Sequence, residues 1–270
     1  MAMGLFGKLF DKKQCDICGG EIGLLGNRKL EDGNMCKNCT KLLSPWFSDR
    51  RHCTVAQIKE QLDYREANKA KVAAFRTTRT LGERMKVLLD EDAGVFMVTE
   101  EQNLTAANPD VMAFSDVTGC KLDIQERRDE IMQDTPDGKQ VSYNPPRYTY
   151  AYDFTIIINV RNPYFNEISF KLNLFSVEVE SQTPAAVGGR FMNGPAIAHD
   201  PERSVEYRKY REMGEEIRDT LLQVRKEARD HATASAAQSA RMDTPWNCPA
   251  CNGRNNSGSF CEFCGSPRPH

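Results

Sequence analysis

The chain has 270 residues, of which 40% are hydrophobic, with a mean hydropathy of −0.59 and a formal net charge of −2 at pH 7. This length supports one sizeable core with small modules at its ends. No run approaches the roughly 18 apolar residues of a membrane-spanning helix, the start lacks the apolar segment of a signal peptide, and the small charge excludes wholesale attraction to nucleic acid or anionic lipid. The composition therefore predicts a cytoplasmic protein.

Ten cysteines are distributed unevenly along the chain. Eight of them form four C-x-x-C pairs, two pairs near each end, and only Cys53 and Cys120 lie between. A disulfide framework spreads its crosslinks through a small fold, whereas paired cysteines without a secretory signal indicate metal ligands.

Residues 1–13 form an apolar and basic leader. If this segment is helical, four of its side chains share one face: Leu5, Phe6, Leu9 and Phe10. Two interpretations remain open, a membrane-surface anchor or a terminus that docks on the protein or on a partner.

Residues 14–50 contain the first two cysteine pairs, Cys15 with Cys18 and Cys36 with Cys39. Two intervening residues let both thiolates of a pair reach one zinc ion. A glycine-containing knuckle, a hairpin turning at Asp32-Gly33 and a short helix carrying the second pair predict a treble-clef-like zinc domain. A redox role, or a mixed-ligand site that includes His52, is the alternative.

The next element is a connector helix over residues 54–76. Thr54 has the character of an N-cap, and the helical pattern continues to about Phe75. Its apolar positions are sparse, which predicts an exposed helix with one thin apolar stripe.

Residues 77–199 are predicted to form an antiparallel β domain. MKVLL and VFMV flank the turn DEDAG, which predicts a hairpin. Seven alternate positions are apolar or aromatic from Tyr148 to Val160, and a second alternating run slips in phase at Leu174–Phe175, which predicts a bulge. Charged residues, glycine and a Pro-Pro pair favour a long loop over 125–147, and residues 181–199 favour another.

Residues 200–231 are predicted to form an amphipathic helix that begins with Asp200-Pro201-Glu202. Its apolar seam suits either packing on the domain's own sheet or a short coiled coil. Small residues over 232–244 predict a linker.

Residues 245–270 hold the last two pairs, Cys248 with Cys251 and Cys261 with Cys264. Nine residues separate the pairs, too few for a hydrophobic core, so zinc must supply on the order of 10 kcal/mol of folding free energy. The sequence thus predicts an α+β multidomain protein with two structural Zn²⁺ ions, and four cysteine ligands per ion leave no position for a catalytic water.

Several segments resemble known families. The pattern CDICGGEIGLLGNRKLEDGNMCKNC, with LSPWF and RRHCTV after it, resembles an uncharacterised bacterial N-terminal zinc domain, with Cys53 where that domain has serine. The middle is similar to a pleckstrin-homology-type fold in the order of its elements. The last module resembles the Ran-binding-protein zinc finger and related bacterial zinc ribbons in Trp246, Cys248, Cys251, Asn255, Cys261 and Cys264.

The zinc-finger resemblance carries two functional expectations. Some members bind single-stranded RNA through arginines and aromatic stacking, for which Arg254 is the candidate here. Others bind ubiquitin through a Thr-Phe pair, which Asn252-Gly253 replaces here.

The sequence contains no P-loop, no G-x-S-x-G and no H-E-x-x-H, and we expect no catalytic residue and no small-molecule substrate. The adjacent His52 and Cys53 rarely have the geometry of a nucleophile pair, and Cys120 alternates with apolar residues as a structural thiol does. We therefore expect a non-catalytic adaptor that binds proteins. Binding of single-stranded nucleic acid through the ribbon, or membrane-surface association through the leader and the β domain, are the alternatives.

Overall fold

The computed structural model describes residues 13–180, 199–243, 245–254, 256 and 258–268. The chain divides into two compact units, residues up to Leu222 and residues from Gln223 onward, and each is described by itself. The predicted leader, apart from Lys13, and the predicted loop over 181–199, apart from its last residue, lie outside the described residues.

The fold mixes helices with antiparallel strands. The helices are α1 (Lys37–Thr40), α2 (Val55–Ala74), α3 (Leu104–Ala107) and α4 (Val205–Asp243). The strands are β1 (Lys13–Gln14), β2 (Glu21–Ile22), β3 (Asn27–Lys29), β4 (Asn34–Cys36), β5 (Arg79–Leu81), β6 (Lys86–Asp90), β7 (Val95–Thr99), β8 (Met112–Ala113), β9 (Val117–Asp134), β10 (Gln140–Val160), β11 (Glu167–Lys171) and β12 (Val177–Glu180). Among the described residues, no helix combines the length and hydropathy that a membrane crossing requires.

The first zinc module is built from two small hairpins and α1. Strand β1 pairs with β2, and β3 pairs with β4. Its core is a cluster of buried side chains that includes one residue of α2: Cys15, Ile22, Leu30, Met35, Cys39, Leu43 and Ile58. The helix α2 therefore completes the hydrophobic core of the module that precedes it.

The start of α2 is set by local chemistry. The Thr54 hydroxyl accepts a hydrogen bond from the Gln57 N–H, and the Gln57 side chain accepts one from the Thr54 N–H, which together form a capping box. The predicted N-cap at Thr54 is confirmed, and the helix ends at Ala74, beside the predicted Phe75.

The prediction that α2 is an exposed connector is wrong. It buries a continuous stripe, Ile58, Gln61, Arg65, Asn68 and Val72. The middle of this stripe is polar, and two of its members, Arg65 and Asn68, hydrogen-bond to residues of the distant segment 108–111. A pattern of apolar spacing therefore detects only the two ends of the buried face.

Strands β5 to β8 form a four-stranded antiparallel meander. The predicted hairpin is confirmed, since Asp90 at the end of β6 pairs with Val95 at the start of β7. Leu88 and Met97 on one face pack with Val72 of α2, while the alternating positions face the interior of the β domain. Because both faces are buried, the two strands are continuously apolar rather than alternating.

The turn after β6 depends on a buried carboxylate. Asp90 accepts hydrogen bonds from the backbone N–H groups of Arg76 and Ala93, at 2.8 and 3.0 Å. These bonds, the Arg76 one foremost, lower the pKa of Asp90 below its ordinary value despite its burial.

The second sheet is organised around the long strand β10. Strand β9 pairs along one edge of it, and β11 and β12 lie one after the other along the opposite edge. The predicted period of two is confirmed, because the alternate residues Tyr152, Phe154, Ile156, Ile158 and Val160 are buried.

A break between β11 and β12 contains the predicted phase slip at Leu174–Phe175. There the Asn173 side chain accepts a hydrogen bond from the Phe154 N–H at 2.8 Å and donates one to the Tyr152 carbonyl at 3.0 Å. A side chain thus replaces backbone pairing with β10, and Leu174 and Phe175 project into solvent, 62% and 81% exposed.

The prediction of a long loop over residues 125–147 is wrong. Strand β9 continues to Asp134 and β10 begins at Gln140, so most of this segment forms a two-stranded arm. Its side chains are largely exposed on both faces, which removes the alternation that identifies a strand. The Pro-Pro pair lies within the register shift between Ser142 and Arg147, where a ladder tolerates proline.

The last helix is longer than predicted. Asp200 is the N-cap of a 3-10 turn, Pro201–Arg203. Helix α4 then begins at Val205 and continues through the predicted linker to Asp243. The alanine-rich composition of 232–243 has high helix propensity, so it extends the helix. In the first unit, Gly214 lies against Leu122 of β9 and Tyr207 packs on Phe154 of β10, with ring centroids 5.1 Å apart. This part of the helix packs on the sheet of its own domain.

Candidate metal centres

The structure brings Cys15, Cys18, Cys36 and Cys39 into one group, with all four sulfur atoms within 4.8 Å of one another. The Sγ atoms of Cys15 and Cys39 are 3.9 Å apart, and those of Cys18 and Cys36 are 3.8 Å apart. A tetrahedral zinc ion with Zn–S bonds of about 2.3 Å requires sulfur atoms about 3.8 Å apart. The group therefore has the geometry of a structural zinc site.

Two local structures hold these ligands. The first pair lies on a tight knuckle, in which the Gly19 N–H donates to the Cys15 carbonyl at 2.7 Å and Gly19 has a φ of +72°. The second pair lies at the start of α1, where Cys36 is the N-cap and its sulfur accepts from the Cys39 N–H at 3.4 Å. The knuckle, the hairpin of β3 and β4 and the helix α1 follow one another in the predicted order.

Two thiols of the group, those of Cys15 and Cys39, have opposed proton affinities. Burial raises the pKa of Cys15, but backbone N–H groups, including that of Cys36 at 3.2 Å, outweigh it and lower this pKa to about 6. Burial and then the neighbouring thiols raise the pKa of Cys39 far above its ordinary value. Because like charges at this distance repel, four thiolates coexist only around a cation.

The second group, Cys248, Cys251, Cys261 and Cys264, meets the same test. Its two closest sulfur pairs are Cys248 with Cys264 and Cys251 with Cys261, each 3.6 Å apart. The chain carries two four-cysteine groups that are compatible with two structural zinc ions.

The ribbon is built from two equivalent knuckles. The Cys248 N–H donates to the Gly253 carbonyl and the Cys261 N–H to the Ser266 carbonyl, both at 2.8 Å. In each knuckle the residue after the second cysteine is left-handed, Asn252 with a φ of +57° and Gly265 with a φ of +73°.

Two thiols of the ribbon, those of Cys251 and Cys264, also differ in proton affinity. The Ser266 hydroxyl and N–H lower the pKa of Cys264 to about 6. The Gly253 N–H lowers the pKa of Cys251, but the neighbouring thiols and burial raise it to about 12. As in the first group, a divalent cation is what allows all four sulfur atoms to act as thiolates.

A small core supports the ribbon. Trp246 is buried with Cys248 and Cys261, and its indole N–H donates to the Gly258 carbonyl at 3.1 Å, as its predicted packing role implies. Asn256 is fully buried and donates to the carbonyls of Trp246 and Gly253. Sequence reasoning missed Asn256, because nothing in the sequence marks it beyond its position between the two cysteine pairs. The predicted Asn255 lies outside the described residues.

The other candidate ligands and nucleophiles do not join either group. His52 is exposed and pairs with Asp49 at 2.5 Å, while the Cys53 thiol donates to the Asp49 carbonyl, so the two form no nucleophile pair. Burial raises the pKa of Cys53, and burial raises that of Cys120 to about 12. Within the described part of the chain, the metal-ligating groups consist of the eight paired cysteines alone.

Both zinc modules present large apolar side chains to solvent. Leu24 and Leu25, in the turn that connects β2 to β3, are 87% and 89% exposed, and we call this pair the leucine tip. Phe260 and Phe263 of the ribbon are 63% and 70% exposed, and we call them the phenylalanine pair. Sequence reasoning missed both pairs, although the glycines on either side of Leu24–Leu25 signal a tight turn that leaves its side chains uncovered.

The comparisons with known proteins reach only the first module. Residues 13–61 match a family model described as a domain of unknown function (DUF4428), which covers less than a fifth of the chain. No curated protein and no solved structure is significantly similar to the chain.

Proposed function

We propose that this chain is a non-catalytic adaptor that binds other proteins through surfaces organised by its two zinc modules. The ligand sets support a structural role for the metal, because each ion would be held by four cysteines. A catalytic zinc ion needs an open position for water or substrate, and a complete set of four cysteine ligands leaves none.

The observation that carries the proposal is the exposure of the leucine tip and the phenylalanine pair. Burying one such side chain stabilises a complex by about 1.5–3 kcal/mol. Knuckles and hairpins tied to a metal ion hold these side chains in place, so a partner that covers them loses little conformational entropy on binding. An exposed apolar pair on a rigid support is typical of a protein-binding surface.

The middle of the chain suits a scaffold role. It consists of two four-stranded antiparallel sheets followed by a helix that packs on the second sheet. This order of elements supports the pleckstrin-homology-like interpretation, which we propose as the scaffold on which the first zinc module is mounted.

Affinity capture with three double variants tests the adaptor proposal. L24S/L25S and F260S/F263S each remove one exposed apolar pair, and L174S/F175S removes a matched exposed pair on the β domain that belongs to neither zinc module. Proteins captured by the wild type from a lysate of its source should be lost with at least one of the first two variants and retained with L174S/F175S. Identical capture by all three variants and the wild type would contradict the proposal.

Binding of single-stranded nucleic acid is a second candidate function for the ribbon. The phenylalanine pair and the exposed Arg254 offer stacking surfaces and a cation, the combination that such binding uses. Fluorescence anisotropy with a labelled oligouridine measures it, and binding should weaken steeply between about 50 and 200 mM salt and be lost in F260S/F263S. Anisotropy that does not change at the lower salt concentration would rule out this function.

Membrane-surface association is a third candidate, favoured by the leucine tip, whose side chains suit shallow insertion into a lipid surface. Flotation with anionic liposomes tests it on the full chain and on a variant lacking residues 1–13. Flotation that L24S/L25S does not reduce would exclude a contribution from this tip.

A further inference from the structure

A cleft of about 690 Å³ lies in the first unit between two segments that are far apart in sequence. One wall follows the first zinc module and contains Pro45, Trp46, Ser48 and Asp49. The other wall follows β10 and contains residues 162–167 with Ser169. We call it the aromatic cleft, because Trp46, Tyr164 and Phe165 all line it.

Contacts on both sides hold the walls in place. The Trp46 N–H donates to the Ser44 hydroxyl at 3.2 Å, and that hydroxyl donates to the buried carboxylate of Asp110 at 2.7 Å. Phe47 meets Tyr164 edge to face, with ring centroids 6.4 Å apart. The cleft is therefore formed before any ligand binds.

The opposite wall is anchored to α2. The Tyr164 ring lies 5.1 Å from the Tyr64 ring, and the Asn162 amide donates to the Tyr64 hydroxyl at 2.9 Å. The Tyr164 N–H donates to the Asn162 side chain at 3.0 Å, which closes the turn. These bonds leave the Tyr164 ring partly exposed at the cleft.

The lining has the chemistry of a site for extended, proline-containing chains. Trp46 and Tyr164 are partly exposed, and Pro45 and Pro163 are exposed beside them. Within the described part of the chain, the Trp46 indole N–H has no hydrogen-bond partner. A polyproline II segment makes no internal hydrogen bonds, so its carbonyl groups need outside donors while its prolines pack on aromatic rings.

The charged side chains that line the cleft are acidic. Asp49 and Glu167 line it and are exposed, and no lysine or arginine is among the described residues of its lining. Burial raises the pKa of the Tyr164 phenol, and the nearby carboxylates of Glu60 and Asp63 raise it further. A ligand with a cationic side chain is thus favoured over an acidic one.

We propose that the aromatic cleft binds an extended, proline-containing peptide segment of a partner protein, with an arginine or lysine beside the prolines. This inference rests on the proposed adaptor function, for which it names the partner chemistry. One wall begins at Pro45, two residues after Leu43, which packs with the candidate zinc ligand Cys39 in the core of the first zinc module.

Two-dimensional ¹H–¹⁵N spectra of the full, zinc-loaded chain test the proposal. The chain has two tryptophans and therefore two indole N–H signals, which the variant W46F assigns. Three pools of twelve-residue peptides serve as probes: Pro-x-x-Pro flanked by arginines, the same core flanked by glutamates, and the arginine-flanked peptide with alanine in place of proline.

The arginine-flanked pool should shift the Trp46 signal and leave the Trp246 signal in place, and the other two pools should need at least tenfold higher concentrations. E167R should abolish the preference for arginine over glutamate, whereas E178R, a matched change on β12 outside the cleft, should preserve it. No shift of Trp46 with any pool, or equal affinity for all three, would overturn the inference.

This result is independent of the capture experiment, because the leucine tip and the phenylalanine pair are not part of the cleft lining. Loss of captured proteins in those variants without a Trp46 shift would remove the peptide site and keep the adaptor function. A Trp46 shift with unchanged capture by every double variant would keep the peptide site and remove the role proposed for the leucine tip and the phenylalanine pair.

Discussion

Replacing Asp110 by alanine should destabilise the first unit more than any single surface change, because Asp110 accepts from two side chains in a buried site. The Arg65 guanidinium donates to it at 2.8 Å, and the Ser44 hydroxyl donates to its other oxygen at 2.7 Å. The side chains of Arg65 and Asp110 are 8% and 0% exposed. Arg65 also donates to the Leu42 carbonyl, so one ion pair joins α2, the end of the zinc module and the segment before β8.

The magnitude follows from what D110A leaves behind. Arg65 would remain buried and charged without its carboxylate, and breaking a buried pair from one side costs about 3–5 kcal/mol. The exposed pair Arg84–Glu100, at 3.9 Å and with both side chains 51% exposed, is the matched control. R84A should cost less than about 1 kcal/mol, since solvent screens such pairs.

Urea unfolding in zinc-containing buffer, followed by far-ultraviolet circular dichroism, measures both changes. D110A should lower the free energy of unfolding of the first unit by about 3–5 kcal/mol, and the double variant R65M/D110L should recover much of the loss, because it removes both charges. A loss in D110A no larger than that in R84A would refute the argument that this pair connects the module to the β domain.

Three further outcomes are expected. Protein purified without added metal should contain about two zinc ions per chain by mass spectrometry, and C36S or C261S should each lower this to about one; a loss of both ions from either variant would show that the sites are not independent. D90N should lower the free energy of unfolding at pH 7 by about 1–3 kcal/mol. Backbone N–H groups lower the folded-state pKa of Asp90, so the stability advantage of the wild type over D90N is full above about pH 4 and declines as the pH falls through the folded-state pKa. A difference in unfolding free energy that grows on acidification in urea titrations would contradict this prediction. G214V should cost about 1–3 kcal/mol, since a Cβ there would lie 2.5 Å from a methyl carbon of Leu122, and an unchanged melting temperature would show that α4 is not packed closely on β9.

Features whose physics is local could be predicted from the sequence. The spacing of the cysteine pairs is sufficient to predict the two metal sites, because a knuckle of a few residues places two thiolates on one ion. The capping box at Thr54 needs only its own helical turn, and the alternation from Tyr152 to Val160 records directly which face of β10 is buried.

The tertiary structure decided the features whose partners are distant in the chain. On the buried stripe of α2, Arg65 and Asn68 find their partners in Asp110 and Asn108, which lie 45 and 40 residues further along the chain. A charged residue on a helix otherwise indicates solvent exposure. The same applies to the aromatic cleft, which Trp46 and Tyr164 both line although they are more than a hundred residues apart in sequence. The burial of a side chain depends on which other parts of the chain cover it. The type and spacing of residues therefore predict local conformation, whereas only the folded structure determines which distant residues a side chain contacts.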